Sequence, residues 1–241
     1  MDDLTDDLGE RLLEAVLAHV PFDGWTEPAF RAAIADLGVS RAAARAAAPR
    51  GALDLAVAWH RRGDAALREA LSADDLATLR IRDRVAKAVR MRIEIAGDRE
   101  VLRRSVTLFA LPHLTPEGTR LIWETADTIW TALGDTSDDL NWYTKRTILS
   151  GVYSSTVLYW LGDSSPDSAD TWAFLDRRID GVMQFERVKA AANRNPVFKT
   201  MFAGPIWLAG RVRAPRARAQ DDLPGRWAPQ PPAPADVDPQ G

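Results

Sequence analysis

Apolar residues recur at helical spacing along most of this chain, and no stretch sustains the period-two alternation of a half-buried strand. Glycine and proline punctuate the pattern at intervals of one helix length. The spacing predicts a helix over Thr5–His19, with Leu8, Leu12, Leu13, Val16 and Leu17 on one face, broken by Pro21 and Gly24. A second opens at Thr26 with Pro28 in its first turn, and ends at Gly38. Ser40 caps a short alanine-rich helix that Pro49-Arg50-Gly51 stops. Further helices are expected over Ala52–Gly63, Ser72–Ala96 and Val101–Leu111, and from Pro116 to Gly134. After the loop Asp135–Asp139 a long helix runs through Leu161, with Leu149, Val152, Tyr153, Thr156, Val157 and Trp160 inward. A last one starts near Asp170. The chain reads as all-α, with eight to ten helices.

The 241 residues, 46% of them hydrophobic, suffice for one sizeable core. Net charge is −3, without the basic excess usual in nucleic-acid binders. The charge is uneven: Met1–Glu10 is acidic, whereas every charged residue from Arg187 to Arg218 is basic, which suits an anionic surface. The absence of cysteine excludes disulfides, thiol nucleophiles and zinc-thiolate sites. His19, His60 and His113 lie far apart and none follows a Glu three residues earlier, so no di-metal motif and no metal or other cofactor is expected. No phosphate loop and no nucleophile elbow is present. Asp138/Asp139 and Asp221/Asp222 read as solvated acids, and no catalytic residue is assigned. No secretory or transit segment and no membrane-spanning run is read. The expected location is cytoplasmic, peripheral on the inner membrane.

Four units are expected: a helix-turn-helix-like unit over 1–51, a helical ligand- and partner-binding domain over 52–190, an amphipathic membrane-binding helix over 191–213, and a disordered Pro-rich tail over 214–241. In the first, Gly38-Val39-Ser40 through Ala48-Pro49-Arg50-Gly51-Ala52-Leu53 resembles the recognition segment of TetR-type regulators. Only Arg41 and Arg45 there can reach DNA, few for an affinity built on phosphate contacts. A TetR-like shape without nucleic-acid binding is therefore preferred to a ligand-responsive repressor. In the third unit, Phe198, Phe202, Ile206 and Trp207 supply apolar bulk and Arg211 a cation, as an interfacial helix requires. Trp123, Trp130, Val152, Tyr153, Thr156 and Trp160 belong either to a packed helical core or to the walls of a lipid cavity.

The run Asp138-Asp139-Leu140-Asn141-Trp142-Tyr143-Thr144-Lys145-Arg146 is followed by Val152-Tyr153-Ser154-Ser155-Thr156 and Asp163-Ser164-Ser165-Pro166-Asp167. Asp170-Thr171-Trp172-Ala173-Phe174-Leu175-Asp176-Arg177-Arg178-Ile179 completes the pattern. Together these runs resemble the coenzyme Q biosynthesis accessory family, the Coq-nine proteins, with weaker agreement from about Leu8 to Arg187. The resemblance implies a TetR-like fold without catalysis of its own, and an apolar pocket for isoprenoid quinone intermediates and phospholipid. It also implies a C-terminal membrane-binding helix, and docking to the ubiquinone-pathway hydroxylase through Asp139, Asn141, Trp142 and Tyr143, with Arg146 nearby. The fold analogy implies a homodimer.

Overall fold

A computed structural model describes residues 2–194 except 75 and 77, with side chains described from 7 to 182. Among the described residues there are ten α-helices, one 3-10 turn and no strand. They run α1 (Asp2–Leu17), α2 (Val20–Asp23), α3 (Glu27–Leu37), α4 (Arg41–Ala47), α5 (Ala52–Ala73), α6 (Ile81–Ile95), α7 (Arg99–Phe109), α8 (Thr115–Ala132), α9 (Leu140–Gly162) and α10 (Ala169–Arg194). The 3-10 turn, Pro166–Ser168, joins the last two.

Local chemistry sets the boundaries. Ser40 accepts from the Ala43 amide and starts α4, and Asp98 accepts from the Glu100 and Val101 amides and starts α7. Gly38, with φ of 62°, closes α3 in the left-handed region. Thr26 occupies the position before α3, but its hydroxyl donates backwards to the Asp23 carbonyl instead of accepting from the helix. Pro21 does more than end α1: it begins the short α2, whose Pro21 and Phe22 carbonyls accept from Arg104 of α7.

Two expected boundaries shift. The helix read as ending at Gly63 continues to Ala73, and the next begins at Ile81 rather than Ser72. Gly63 is not a stop, because a Cβ there would lie 2.8 Å from Arg92 Cζ. Its missing side chain makes the notch into which the guanidinium of α6 lies.

One core runs through the helices. Leu12, Leu13 and Val16 of α1 meet Phe30 of α3, Leu55 and Trp59 of α5, and Val89 and Ile93 of α6 in a single cluster. The same cluster continues through Ile129 of α8, Leu149 and Val157 of α9 and Leu175 of α10. Each such side chain contributes about 1.5–3 kcal/mol by leaving water. α9 packs against both α8 and α10, so apolar residues lie around it rather than on one stripe. Thus one helix forms a wall for structures on more than one side.

A buried polar network crosses this core. Arg92 Nε donates to Asp64 at 2.7 Å, and its Nη2 donates to the His60 carbonyl at 2.9 Å. Thr125 Oγ1 lies 2.9 Å from Asp64 and 2.9 Å from His60 Nε2. Burial, with the Arg92 charge adding to it, pushes the imidazole down to about 3, so His60 is neutral at physiological pH. The imidazole is held in the core by Thr125 and the Leu121 carbonyl.

Candidate functional site

The N-terminal end of α9 is built on an aspartate turn. Asp139 accepts from the Asn141 amide at 2.9 Å and from the Asn141 side chain at 3.0 Å. This cap starts the helix with Leu140 42% exposed and Trp142 and Tyr143 half-buried. Trp142 meets Tyr143 edge-on at 4.7 Å, and Trp123 of α8 lies 5.8 Å from Trp142 and 6.3 Å from Tyr143. The three rings form one aromatic cluster, and Leu140 is exposed in the same first turn of α9, beside Asp139 and Asn141 in sequence.

Arg146 holds the patch from beneath. It is 2% exposed, with its guanidinium carbon 4.0 Å from the Trp142 ring centre. It donates to Asp127 at 2.6 Å, to Asp135 at 3.1 Å and to the Trp142 carbonyl at 3.2 Å. Arg146 therefore belongs to the support of the patch, whereas Asp139, Asn141, Trp142 and Tyr143 lie at its surface.

Asp135 is the hub. Lys145 Nζ donates to it at 2.7 Å and Ser137 Oγ at 2.8 Å, alongside Arg146. Burial by itself raises a carboxyl's pKa, but the donors Lys145, Ser137 and Arg146 outweigh it and hold Asp135 down at about 2. Lys145 in turn lies 5.3 Å from the Trp130 ring centre, and Trp130 Nε1 donates to the Lys145 carbonyl at 3.1 Å.

A cavity of about 540 Å³ opens directly beside this hub. Its apolar wall comes from Ile81 and Val85 of α6, Trp130 and Leu133 of α8, Ile148, Leu149 and Val152 of α9, and Ile179 and Val182 of α10. Asp135, Thr136, Ser137, Asn141, Thr144, Lys145 and Arg82 supply polar groups. A volume of this size with mostly apolar walls and a few polar positions is typical of small-molecule sites. A second cavity, of about 240 Å³, lies between α5, α7, α8 and α9 and includes Tyr153 and Val157.

The residues read as lipid-cavity candidates divide among these places. Trp130 and Val152 line the larger cavity and Tyr153 the smaller. Trp123 stands in the aromatic patch instead. Thr156 is fully buried with its hydroxyl donating to the Val152 carbonyl at 2.7 Å, and Trp160 lies under Arg99 at 4.4 Å; neither lines either of these two cavities. Phe198, Phe202, Ile206, Trp207 and Arg211 lie outside the described residues, as do the end of the proposed membrane helix and the tail. Asp135 and Asp127 escaped the sequence reading. Their signal is retrospective: one acid near the end of α8 and one in the loop after it precede the basic pair Lys145-Arg146.

In the N-terminal unit, Arg41 and Arg45 share one carboxylate, with Arg41 still largely exposed. Arg41 donates to Glu27 at 3.2 Å, and Arg45 donates to Glu27 at 2.5 Å and to the Pro49 carbonyl at 3.0 Å. Among the described residues no group of three or more His, Asp or Glu is placed to hold a metal, and no helix is long and apolar enough to cross a membrane.

A helix-turn-helix-like front joined to a larger helical domain with an apolar cavity defines a TetR-like all-α protein. A solved TetR transcriptional regulator from Nitrosomonas europaea shares this fold, with a TM-score of 0.59 over 71% of this chain and 95% of that one, at 18% identity. Sequence comparison is more specific. The COQ9 family model matches residues 115–186, which span the patch, the hub and α9. The bovine mitochondrial ubiquinone biosynthesis protein COQ9 is 34% identical over 189 residues, 74% of this chain and 58% of its own length. The human protein of the same name is 34% identical over 188 residues, 74% of this chain and 58% of its own. The Drosophila melanogaster protein is 30% identical over 186 residues, 75% and 57%. The chain belongs to the COQ9 family. It spans a little under three fifths of the length of these curated relatives.

Proposed function

We propose that this chain is a non-catalytic lipid-binding accessory protein of ubiquinone biosynthesis. It binds prenylated quinone intermediates at the membrane surface and presents them to a partner hydroxylase. The observation that carries this reading is adjacency: the 540 Å³ apolar cavity and the half-exposed first turn of α9, with Leu140, Trp142 and Tyr143, share the α8–α9 loop and the Asp135 hub. A polyprenyl chain is too apolar to leave a bilayer unaided, since each exposed CH₂ costs about 0.8 kcal/mol. An enzyme that works on its headgroup gains from a protein that holds the tail in a cavity next to a docking surface. Its relatives are named ubiquinone biosynthesis proteins, which supports the pathway. Phospholipid as an alternative occupant, a peripheral position on the cytoplasmic face of the inner membrane, and a homodimer complete the proposal. The competing reading, a ligand-responsive repressor, is weakened by Glu27, which engages both arginines of α4.

The test is lipid extraction and mass spectrometry of the purified protein beside Leu149→Trp, which fills the cavity. A prenylated quinone or its precursor in the wild type, depleted in the variant, is the expected result. A protein that emerges empty and instead binds a duplex from its own upstream region would transfer the assignment to the repressor.

A further inference from the structure

The larger cavity is polar at one end of its α9 wall and apolar at the other. Asn141, Thr144, Lys145, Ile148, Leu149 and Val152 all line it, at spacings of three and four residues along one face of the helix. That face is about 16 Å long at the helical rise. Its first turn and a half carries an amide, a hydroxyl and an ammonium, and everything after them is aliphatic. Asp135 and Ser137 of the preceding loop also line the cavity and bond to Lys145, so they add to the same polar end. A molecule that matches this wall has a small polar head at the entry of α9 and an apolar tail running towards Val152.

Charge narrows the head. Arg82, Asp135 and Lys145 line the cavity, and each already faces an opposite charge of the protein. Lys145 Nζ donates to Asp135 at 2.7 Å, and Arg82 donates to Asp180 at 2.6 Å and 3.0 Å. An anionic head would have to draw Lys145 away from Asp135 and then lie beside that carboxylate, like charge against like. An uncharged head disturbs neither pair. An ammonium has three N–H donors, and those of Lys145 give two bonds, to Asp135 and to Ser137 Oγ. Its side chain is 37% exposed and lies on the cavity wall, so the third donor is open to an occupant. The Thr144 hydroxyl donates to the Leu140 carbonyl and the Asn141 side-chain amide donates to Asp139, which leaves the oxygen of each able to accept. One donor beside two acceptors suits a ring that bears carbonyl or hydroxyl oxygens.

We propose that Lys145 is the residue by which the larger cavity recognises its occupant: its third N–H donates to an uncharged ring oxygen of a prenylated quinone or quinol, and the tail lies along Ile148, Leu149 and Val152. Asn141 and Thr144 accept from the hydroxyls of the reduced ring. The site ranks an uncharged ring head above the phosphodiester head of a phospholipid. It also sets the head against the turn that carries Trp142 and Tyr143. The assignment rests on the lipid-cavity reading above.

Titration of the full-length protein with a ubiquinone bearing a two-isoprene tail tests this, read by tryptophan quenching and by the infrared carbonyl stretch of the bound quinone. Farnesane, an isoprenoid hydrocarbon without a head, and dioleoyl phosphatidylglycerol serve as competitors. Lys145→Met leaves Asp135 to Arg146 and Ser137. It should weaken the quinone about tenfold, the loss of one hydrogen bond from a charged donor, and leave competition by farnesane unchanged. The carbonyl stretch should fall on binding to the wild type, stay near its free value in Lys145→Met, and fall again in Lys145→Arg, which keeps a donor. Phosphatidylglycerol should displace the quinone less effectively than unlabelled quinone does. An unchanged quinone affinity or carbonyl stretch in Lys145→Met would overturn the proposal, as would an equal loss for quinone and farnesane, which is what a merely structural lysine gives. Tighter binding of phosphatidylglycerol than of the quinone would overturn it too. If neither the quinone nor farnesane binds the wild type, the lipid cavity itself fails and this assignment falls with it.

Discussion

Replacing Asp135 with asparagine keeps the shape of the hub and removes its charge. In the native protein the side chain is 3% exposed and accepts from Lys145, Ser137 and Arg146. Its pKa is held at about 2, against an ordinary 3.8. Each pKa unit is worth about 1.4 kcal/mol, so the shift corresponds to about 2 kcal/mol of stability at neutral pH. Because the folded pKa is depressed, this contribution is fully present above about pH 4 and is lost as pH falls from there towards 2. The variant forfeits it at neutral pH but has nothing to lose in acid. Urea unfolding of both proteins, in steps from neutral pH downward, should show a gap of about 2 kcal/mol that closes over that window. Asp163 is also depressed, through donation by Thr171 and the Ser165 amide, but it titrates in both proteins and cancels from the difference. A gap of constant size from neutral pH to pH 2 would refute the ionic account of the hub and leave only packing.

Three further outcomes follow from geometry. Gly63→Ala should gain about 1 kcal/mol by helix propensity alone, yet the new Cβ would meet the Arg92 guanidinium at 2.8 Å, so thermal melts should show a net loss of about 1–3 kcal/mol. Arg92→Ala strands Asp64, 6% exposed at its side chain, and should cost about 3–5 kcal/mol by denaturant titration, whereas Arg92→Met paired with Asp64→Leu should recover most of it. Trp142→Ala removes the ring over Arg146 while sparing the larger cavity; on the proposed docking role, capture of a pathway hydroxylase should fall about tenfold or more with lipid content unchanged, since a buried aromatic anchor of an interface contributes ~2 kcal/mol or more.

The fold class was legible because helical spacing, caps and breakers are local. Ser40, Gly38 and the aspartate turn before α9 all act within four residues of themselves. What escaped was decided at a distance. Gly63 looks like a terminator until Arg92, 29 positions later in the numbering of this chain, is seen to occupy its notch. Arg92 itself falls on the inward face of α6 with Val85, Val89 and Ile93, and a charge on that face signals a buried partner without naming it. The aromatic cluster was legible as Asn141-Trp142-Tyr143, since aromatics at a helix entry have no local reason to be there. Arg146, expected only to lie near the patch, is buried, whereas a helical arginine usually reaches water. Here Asp127 and Asp135 draw it inward. The lipid candidates scattered for a related reason: one helix buried on several sides distributes neighbouring residues to different cavities, and periodicity cannot say which neighbour each side meets.

α9 shows why those sides matter. Its first turn presents Trp142 and Tyr143 outward, its middle gives Ile148, Leu149 and Val152 to the larger cavity, and Tyr153, Ser154 and Val157 to the smaller. A shift of the helix along its axis would alter all three places at once. Its ends are therefore fixed by polar contacts. At the front, Asp139 caps it and Arg146 ties it to Asp127 and Asp135. At the back, Arg103 of α7 donates to the Leu161 carbonyl at 2.9 Å and Arg99 donates to the Asp163 carbonyl, while Asp163 accepts from the Ser165 and Thr171 amides. The apolar middle is thus free to be hollow, because the register of the helix does not depend on filling it. A core that held α9 by packing alone would have to close around it. Polar clamps at both ends are what let the same helix keep a cavity on either side and still present its aromatic entry in one position.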